Sequence, residues 1–192
     1  MLRKVFLFHS DQNEKTMHHP LEQFIYCPEC GGKFAEHNGK SKKCLQCGFT
    51  YYFNPSAATV AIITNEKNEL LVTRRAKDPC KDTLDLPGGF VDSFETGEEG
   101  VIREVKEETG LTVISAEYLF SLPNIYVYSG FEVHTLDLFY RCRVKSTENM
   151  AAQDDIEESM FIPIDKINID DFGLTSVKRG LKMLIDNNYL KL

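Results

Sequence analysis

No stretch of this chain is apolar for long enough to cross a bilayer as a helix, tryptophan is absent, and basic residues are outnumbered by acidic ones. The first shortage removes the membrane-spanning helix, which needs about 20 consecutive apolar residues. The opening segment MLRKVFLFHS has a basic start, but its apolar patch is too short for a secretory leader and no small-residue cleavage site follows. A cytoplasmic protein with no membrane partner is therefore expected. Residues 1–21 read as a loose arm, with Met17 as an alternative start. The charge balance, 22 Lys and Arg against 29 Asp and Glu for a formal net charge of -7, argues against non-specific attraction to nucleic acid. A phosphate-bearing small molecule stays open, because divalent cations can reverse the local sign. Low-complexity runs are missing too, so 192 residues with 42% hydrophobic content suit one core of ordinary size plus a small appendage.

Cysteine is scarce and unevenly placed. Of six, Cys80 and Cys142 are isolated, while Cys27-Pro-Glu-Cys30 and Cys44-Leu-Gln-Cys47 form two C-x-x-C units thirteen residues apart. In a chain of the reducing cytosol such pairs point to metal rather than to disulfides. Gly31 and Gly48 follow the two units and permit the positive φ that turns the backbone under a metal. Four thiolates complete a closed tetrahedral Zn2+ site with no open position for a substrate, so its role is structural. Residues 22–53 thus read as a zinc ribbon. Lys40, Lys42 and Lys43 within it are a local basic patch that would suit RNA.

From residue 54 the character changes. Residues 57–63 form an apolar, partly β-branched run, read as a buried strand. A turn at 65–68 leads to a second strand at 70–74, giving an expected hairpin. Further strands are predicted at 90–91, 111–119, 135–144 and 159–164. A helix is predicted at 98–109, stopped by Gly110, and another at 176–187, with Val177, Leu181, Leu184 and Ile185 at core spacing. The fold class is α/β.

The first helix raises the functional question. Glu104, Glu107 and Glu108 lie three and four positions apart, so they share a face and repel. Val101, Ile102 and Val105 are expected to anchor the other sides. Arg103, four before Glu107, can hold that carboxylate as an ion pair. Oxygen ligands of this kind suit Mg2+ or Mn2+. The plain alternative is a solvated acidic face.

The context favours the metal. From Gly89 there are five residues to Glu95, seven more to Arg103, and then Arg103-Glu104-Val105-Lys106-Glu107-Glu108-Thr109-Gly110-Leu111. This resembles the box of the Nudix hydrolases, G-x5-E-x7-R-E-U-x-E-E-x-G-U with U aliphatic, at every fixed position. The resemblance covers about residues 56–190. It implies an α/β/α sandwich with a mixed sheet over residues 54–192. By position it implies that Glu104, Glu107 and Glu108 bind divalent metal, that Arg103 orients one of them, and that Glu95 supports the loop–helix geometry. The resemblance also implies that a backbone carbonyl near Gly88 adds a metal ligand. The implied reaction is attack of water within the pyrophosphate of a nucleoside diphosphate linked to another group. Many relatives need a later carboxylate as well, for which Asp155 and Glu158 are the candidates ahead of Glu157.

A ribbon before such a domain resembles the NADH pyrophosphatase group. That group carries S-Q-P-W-P-F-P-x-S after the box, whereas this chain reads Ser121-Leu-Pro-Asn-Ile-Tyr-Val-Tyr-Ser-Gly130. ADP-ribose or a dinucleotide is therefore the expected substrate, with AMP released. Arg74 and Arg75 are candidate phosphate contacts, and Tyr126, Tyr128 and Phe131 candidate base-stacking residues. Relatives are often dimers, so a homodimer is admitted. The competing class is a non-catalytic nucleotide- or RNA-binding module on the same scaffold.

Overall fold

The computed structural model describes residues 19–148, 150–152, 156–187 and 190. The chain divides into two units between Tyr52 and Phe53. In the first, β1 (Phe34–Asn38), β2 (Ser41–Cys44) and β3 (Thr50–Tyr52) form an antiparallel sheet in that order. Pro20, Leu21, Cys27 and Cys44 are its buried apolar side chains among the described residues. Phe24 stacks on Tyr51 at 5.1 Å.

The second unit holds two sheets and two long helices. A mixed sheet runs β4–β8–β7, from β4 (Ser56–Ile62), β8 (Phe131–Val144) and β7 (Val113–Tyr128). β4 is parallel to β8, and β7 antiparallel to it. An antiparallel sheet runs β6–β5–β9, from β6 (Leu84–Asp85), β5 (Glu69–Arg75) and β9 (Ile156–Pro163). The helices are α1 (Gly97–Thr109) and α2 (Thr175–Asp186).

Burial explains why 60–63, the end of the 57–63 run, is unbroken in its apolar character. Val60 and Ile62 of β4 join Leu70 and Val72 of β5 in a core closed by Val177, Leu181 and Leu184 of α2. The alternate residues Ala61, Ile63 and Leu71 join a second core closed by Val101 and Val105 of α1. Both faces are covered, so alternation of polar and apolar residues disappears. Each such Leu, Ile or Val contributes roughly 1.5–3 kcal/mol by leaving water. Ile102 does not share this role, being 39% exposed.

The expected hairpin of 57–63 with 70–74 is corrected. β4 pairs with β8, and β5 with β6 and β9. Between the two runs there is one bridge, Thr64 to Leu70, with Leu71 N–H donating to Ile63 at 2.9 Å. The turn is as read: the Asn65 carboxamide oxygen accepts from the Lys67 and Glu69 amides. It redirects the chain into a different sheet. The strands at 111–119 and 135–144 are in turn longer than predicted, meeting through Ser129 and Gly130, both at positive φ. That is the two-residue turn a twisted hairpin prefers. Pro123 is tolerated inside β7 because β7 lies at the sheet edge.

α1 opens on a capping box, Thr96 accepting from the Glu99 amide while the Glu99 carboxylate accepts from the Thr96 amide. Just before it, Phe94 sits at φ 70 and is 108% exposed. A left-handed residue with a Cβ is strained by roughly 1–2 kcal/mol, and a side chain in open solvent recovers none of it. Phe94→Gly should therefore stabilise the protein by about 0.5–1 kcal/mol after glycine's own entropy is subtracted. Urea titration checks this, and an unchanged or lower midpoint refutes it.

Candidate active site and cysteine cluster

The segment after β6 is laid along β4: the Ala61 and Thr59 amides donate to the Pro87 and Gly89 carbonyls, and the Val91 amide donates to the Ala57 carbonyl. Gly88 falls between, and its N–H donates instead to the Glu108 carboxylate at 2.9 Å. Only glycine fits at 88, where a Cβ would collide with the Thr59 carbonyl, while a Cβ at 89 would displace the Glu104 carboxylate. The glycine turn is thus the surface against which the acidic face of α1 is seated.

Arg103 ties that arrangement together. Its Nε donates to Glu95 Oε1 at 2.9 Å and its Nη2 to Glu95 Oε2 at 3.0 Å. Nη1 reaches Glu104 at 2.8 Å and Glu107 at 3.0 Å, and Nη2 also meets the Phe90 carbonyl at 2.9 Å. These bonds use every N–H a guanidinium has. Glu95, bonded also to the Asp92 amide, is held below its ordinary carboxylate range by Arg103 and that amide. Arg103 is raised further, first by Glu95.

The three box glutamates differ in environment. Glu107 is half exposed, its side chain 49% accessible. Glu104 is held by Arg103 against Gly89. Glu108 is 7% exposed, contrary to the surface position its sequence spacing suggests. Its carboxyl is pushed well above the ordinary range, first by burial and then by Asp85 and Glu104, against the pull of the Gly88 amide.

Glu104 and Glu108 line a cleft of ≈ 280 Å³ with Gly88, Gly89, Arg75 and Tyr126. Three further acids share it that the sequence pattern does not single out, Asp85, Asp92 and Asp137. Asp85 is paired with Arg75 Nη1 at 2.7 Å, yet burial raises its carboxyl above the usual range. Arg75 also donates to the Tyr126 hydroxyl at 3.0 Å and lies over its ring. Asp137 accepts from Thr135 Oγ1 at 2.6 Å and Ser176 Oγ at 2.5 Å. An acid inside the otherwise apolar strand Thr-Leu-Asp-Leu-Phe was the available signal.

Other predicted contacts fall elsewhere. Arg74 pairs with the exposed Glu158 at 3.5 Å and donates to the Asp82 carbonyl, and neither Arg74 nor Glu158 lines the cleft. Tyr128 is exposed near the tip of the β7–β8 hairpin and is also outside it. Asp155 lies outside the described residues, while its neighbour Ile156 lines the cleft.

In the first unit the sulfurs of Cys27, Cys30, Cys44 and Cys47 all lie within 4.8 Å of one another and could hold one metal ion. Gly31 and Gly48 have φ 72 and 78, as the knuckle reading requires. Amide donors, Cys47 first, lower the Cys44 thiol to about 6. The Cys47 thiol stands at about 12, the Phe49 amide lowering it while Cys30, burial and the other sulfurs raise it. A first thiolate forms readily and the later ones oppose it, which is the donor set a dication resolves. Cys142 is different: burial pushes it up to about 12, and it belongs to the α1-side core. In the basic trio, Lys42 donates to the Phe24 carbonyl at 2.9 Å.

The NUDIX domain model matches residues 54–180. A 63-residue stretch, 33% of this chain, is 46% identical to the ADP-ribose pyrophosphatase of Methanocaldococcus jannaschii and covers 37% of it. A longer stretch of 143 residues, 74% of this chain, is 27% identical to the NAD-capped RNA hydrolase NudC of Pseudomonas aeruginosa and covers 49% of it. The chain thus spans less than half the length of these curated relatives. Among solved structures, a NUDIX hydrolase from Nitrosomonas europaea superimposes with a TM-score of 0.69 at 20% identity, over 86% of this chain and 93% of that one.

Proposed function

The chain belongs to the Nudix family, and from that premise we propose that it is a divalent-metal-dependent pyrophosphohydrolase. Its substrate would be a nucleoside diphosphate linked to a second group, with ADP-ribose or a dinucleotide favoured and AMP released. The observation that carries this reading is the seating of Glu104 and Glu108 against Gly88 and Gly89 inside the cleft, with Arg103 spanning Glu95, Glu104 and Glu107.

These residues fit a hard cation. Glu108 is a buried carboxylate whose charge is opposed by its acidic neighbours, and a bound dication removes that opposition. Glu104, Glu107 and Glu108 would hold Mg2+ or Mn2+, together with the Gly88 carbonyl, which takes no part in the bonds to β4. When bound, such an ion neutralises the pyrophosphate and lowers the pKa of an attacking water. Arg103 fixes the carboxylates before substrate arrives, so little reorganisation is left for the reaction itself. Arg75 and Tyr126, joined to each other, form a wall for the nucleotide, with Phe90 edge-on to Tyr126 at 5.8 Å. Zn2+ in the cysteine cluster is proposed as structural, in a ribbon over residues 22–53.

The test is incubation with Mg2+ and ADP-ribose, NADH, NAD, diadenosine polyphosphates, nucleotide sugars, FAD and nucleoside triphosphates, with products identified by chromatography. AMP released from a diphosphate-linked substrate supports the reading. No turnover of any of them, with metal bound, leaves the non-catalytic binding module.

A further inference from the structure

Beyond the carboxylates of the box, the cleft has a polar floor that no metal chemistry requires. Asn124 of β7 and Thr135 and Asp137 of β8 all line it. They belong together through the register: Asn124 lies opposite Thr135, and Leu122 opposite Asp137. Along each strand, alternate residues share a face. Tyr126, Asn124 and Leu122 therefore follow one another on β7, as Thr135, Asp137 and Phe139 do on β8. Each series starts in the cleft and ends in the core, where Leu122 and Phe139 are fully buried.

Asn124 is 7% exposed, and no side chain among the described residues hydrogen-bonds its carboxamide. Thr73, fully buried and lining the same cleft, likewise has an unpartnered hydroxyl. Buried polar groups are nearly always paired, so the Thr73 hydroxyl is left for something that enters. Asp137 is 4% exposed and is fixed by the Thr135 and Ser176 hydroxyls, which both donate to it. An ionised carboxylate only accepts, and each of its oxygens keeps a lone pair for one more donor. The apolar rim beside these groups is Val60, Leu86, Leu174 and Val177. That is the build of a pocket for a flat heterocycle whose edge carries a donor next to an acceptor.

We propose that Asp137 and Asn124 read the 6-amino edge of adenine. The exocyclic amine donates to Asp137, and the neighbouring ring nitrogen accepts from the Asn124 carboxamide. This deepens the proposed function, since it assigns the base of that substrate. It makes Asp137 and Asn124 specificity residues, distinct from the groups that hold metal. Hypoxanthine places a carbonyl oxygen where adenine has its amine, so it faces the carboxylate with an acceptor.

The test is equilibrium binding of AMP, IMP and GMP to the wild-type protein with Mg2+ by calorimetry, which does not depend on turnover. AMP should bind about 10- to 100-fold more tightly than IMP, the range for a buried bond to a charged group. Asp137→Asn, whose carboxamide can present either a donor or an acceptor, should bring the AMP-to-IMP ratio close to one. Asn124→Leu should weaken AMP while keeping the preference for it over IMP. Thermal melts establish that both variants fold. Equal binding of AMP and IMP by the wild type overturns the proposal, as does absence of binding by all three nucleotides. GMP bound more tightly than AMP overturns the adenine assignment. Should Asp137→Asn not fold, the wild-type ratio and Asn124→Leu still decide. An AMP preference in a protein that hydrolyses nothing would uphold this inference while removing the hydrolase.

Discussion

Glutamine at position 108 should lower kcat/KM by about 10³-fold, several kcal/mol of transition-state stabilisation, while making the metal-free protein more stable. The two effects have one cause. Glu108 is buried among Asp85 and Glu104, so its charged form is disfavoured in the folded chain. A carboxyl whose folded pKa lies above its unfolded value contributes stability that is fully present below the unfolded pKa. That contribution is lost as pH rises through the folded one. At neutral pH the metal-free protein therefore carries an unfavourable charge that the Gln variant lacks. Glutamine can still accept from the Gly88 amide. Melting temperatures in chelator should coincide near pH 4 and separate as pH rises, with Glu108→Gln the higher. Glu95 and Glu99 shift downward and so lose their contributions at acid pH, but equally in both proteins. Adding Mg2+ should raise the wild-type melting temperature more than the variant's. Glu107→Gln should lose activity to a similar degree without gaining stability, because Glu107 is half exposed. Wild-type turnover in both variants would remove these carboxylates from the mechanism. A variant at 108 no more stable than wild type in chelator would show that the burial is harmless.

The acidic face of α1 could be read from the sequence because helical spacing is local: residues three and four apart meet whatever the rest of the chain does. The same held for Gly110, which ends the helix at φ 71, and for the two cysteine knuckles. What could not be read depends on pairing between distant segments. The burial of Glu108 comes from the Gly88 loop, 20 residues earlier in the chain. Arg75 and Tyr126 are 51 residues apart, and Ser176 and Asp137 are 39 apart. Asp85 and Asp137 sit among apolar strand residues, and nothing in their neighbours tells which face turns to the cleft. Arg74 and Arg75 were equivalent in sequence, but adjacent strand residues point to opposite faces, so only Arg75 reaches the site. The misread hairpin has the same origin. Asn65 and Asn68 mark the turn locally, but β4 is buried on both faces and takes β8 as its partner instead.

Replacement of Cys44 by Ala should release bound zinc and unfold the first unit while leaving the second intact. The first unit has little else to hold it. Among its described residues, Pro20, Leu21, Cys27 and Cys44 are the buried apolar side chains, and a ribbon over residues 22–53 is shorter than the roughly 40 residues below which a metal or disulfides are usually needed to fold. A structural zinc site supplies roughly 10–16 kcal/mol of apparent binding energy at neutral pH, and in such modules this is folding energy. Cys44 also ends β2 opposite Phe34, so its displacement would disturb the strand pairing directly. Hydrogen exchange should show protection lost over β1, β2 and β3 in Cys44→Ala and in wild type treated with a strong chelator. Protection in β4, β8 and α1 should persist, because neither core of the second unit contains a residue before Tyr52. Protons should release the metal as well. The Cys44 thiolate forms at about 6 without metal, and acidification favours its thiol and those of the other three cysteines over zinc. Zinc content measured colorimetrically should fall from one per chain to none as the solution is acidified and return on neutralisation. A preparation without zinc in which β1 to β3 keep full protection would show that the sheet and the Phe24–Tyr51 stack suffice, and the cysteines would then need another explanation.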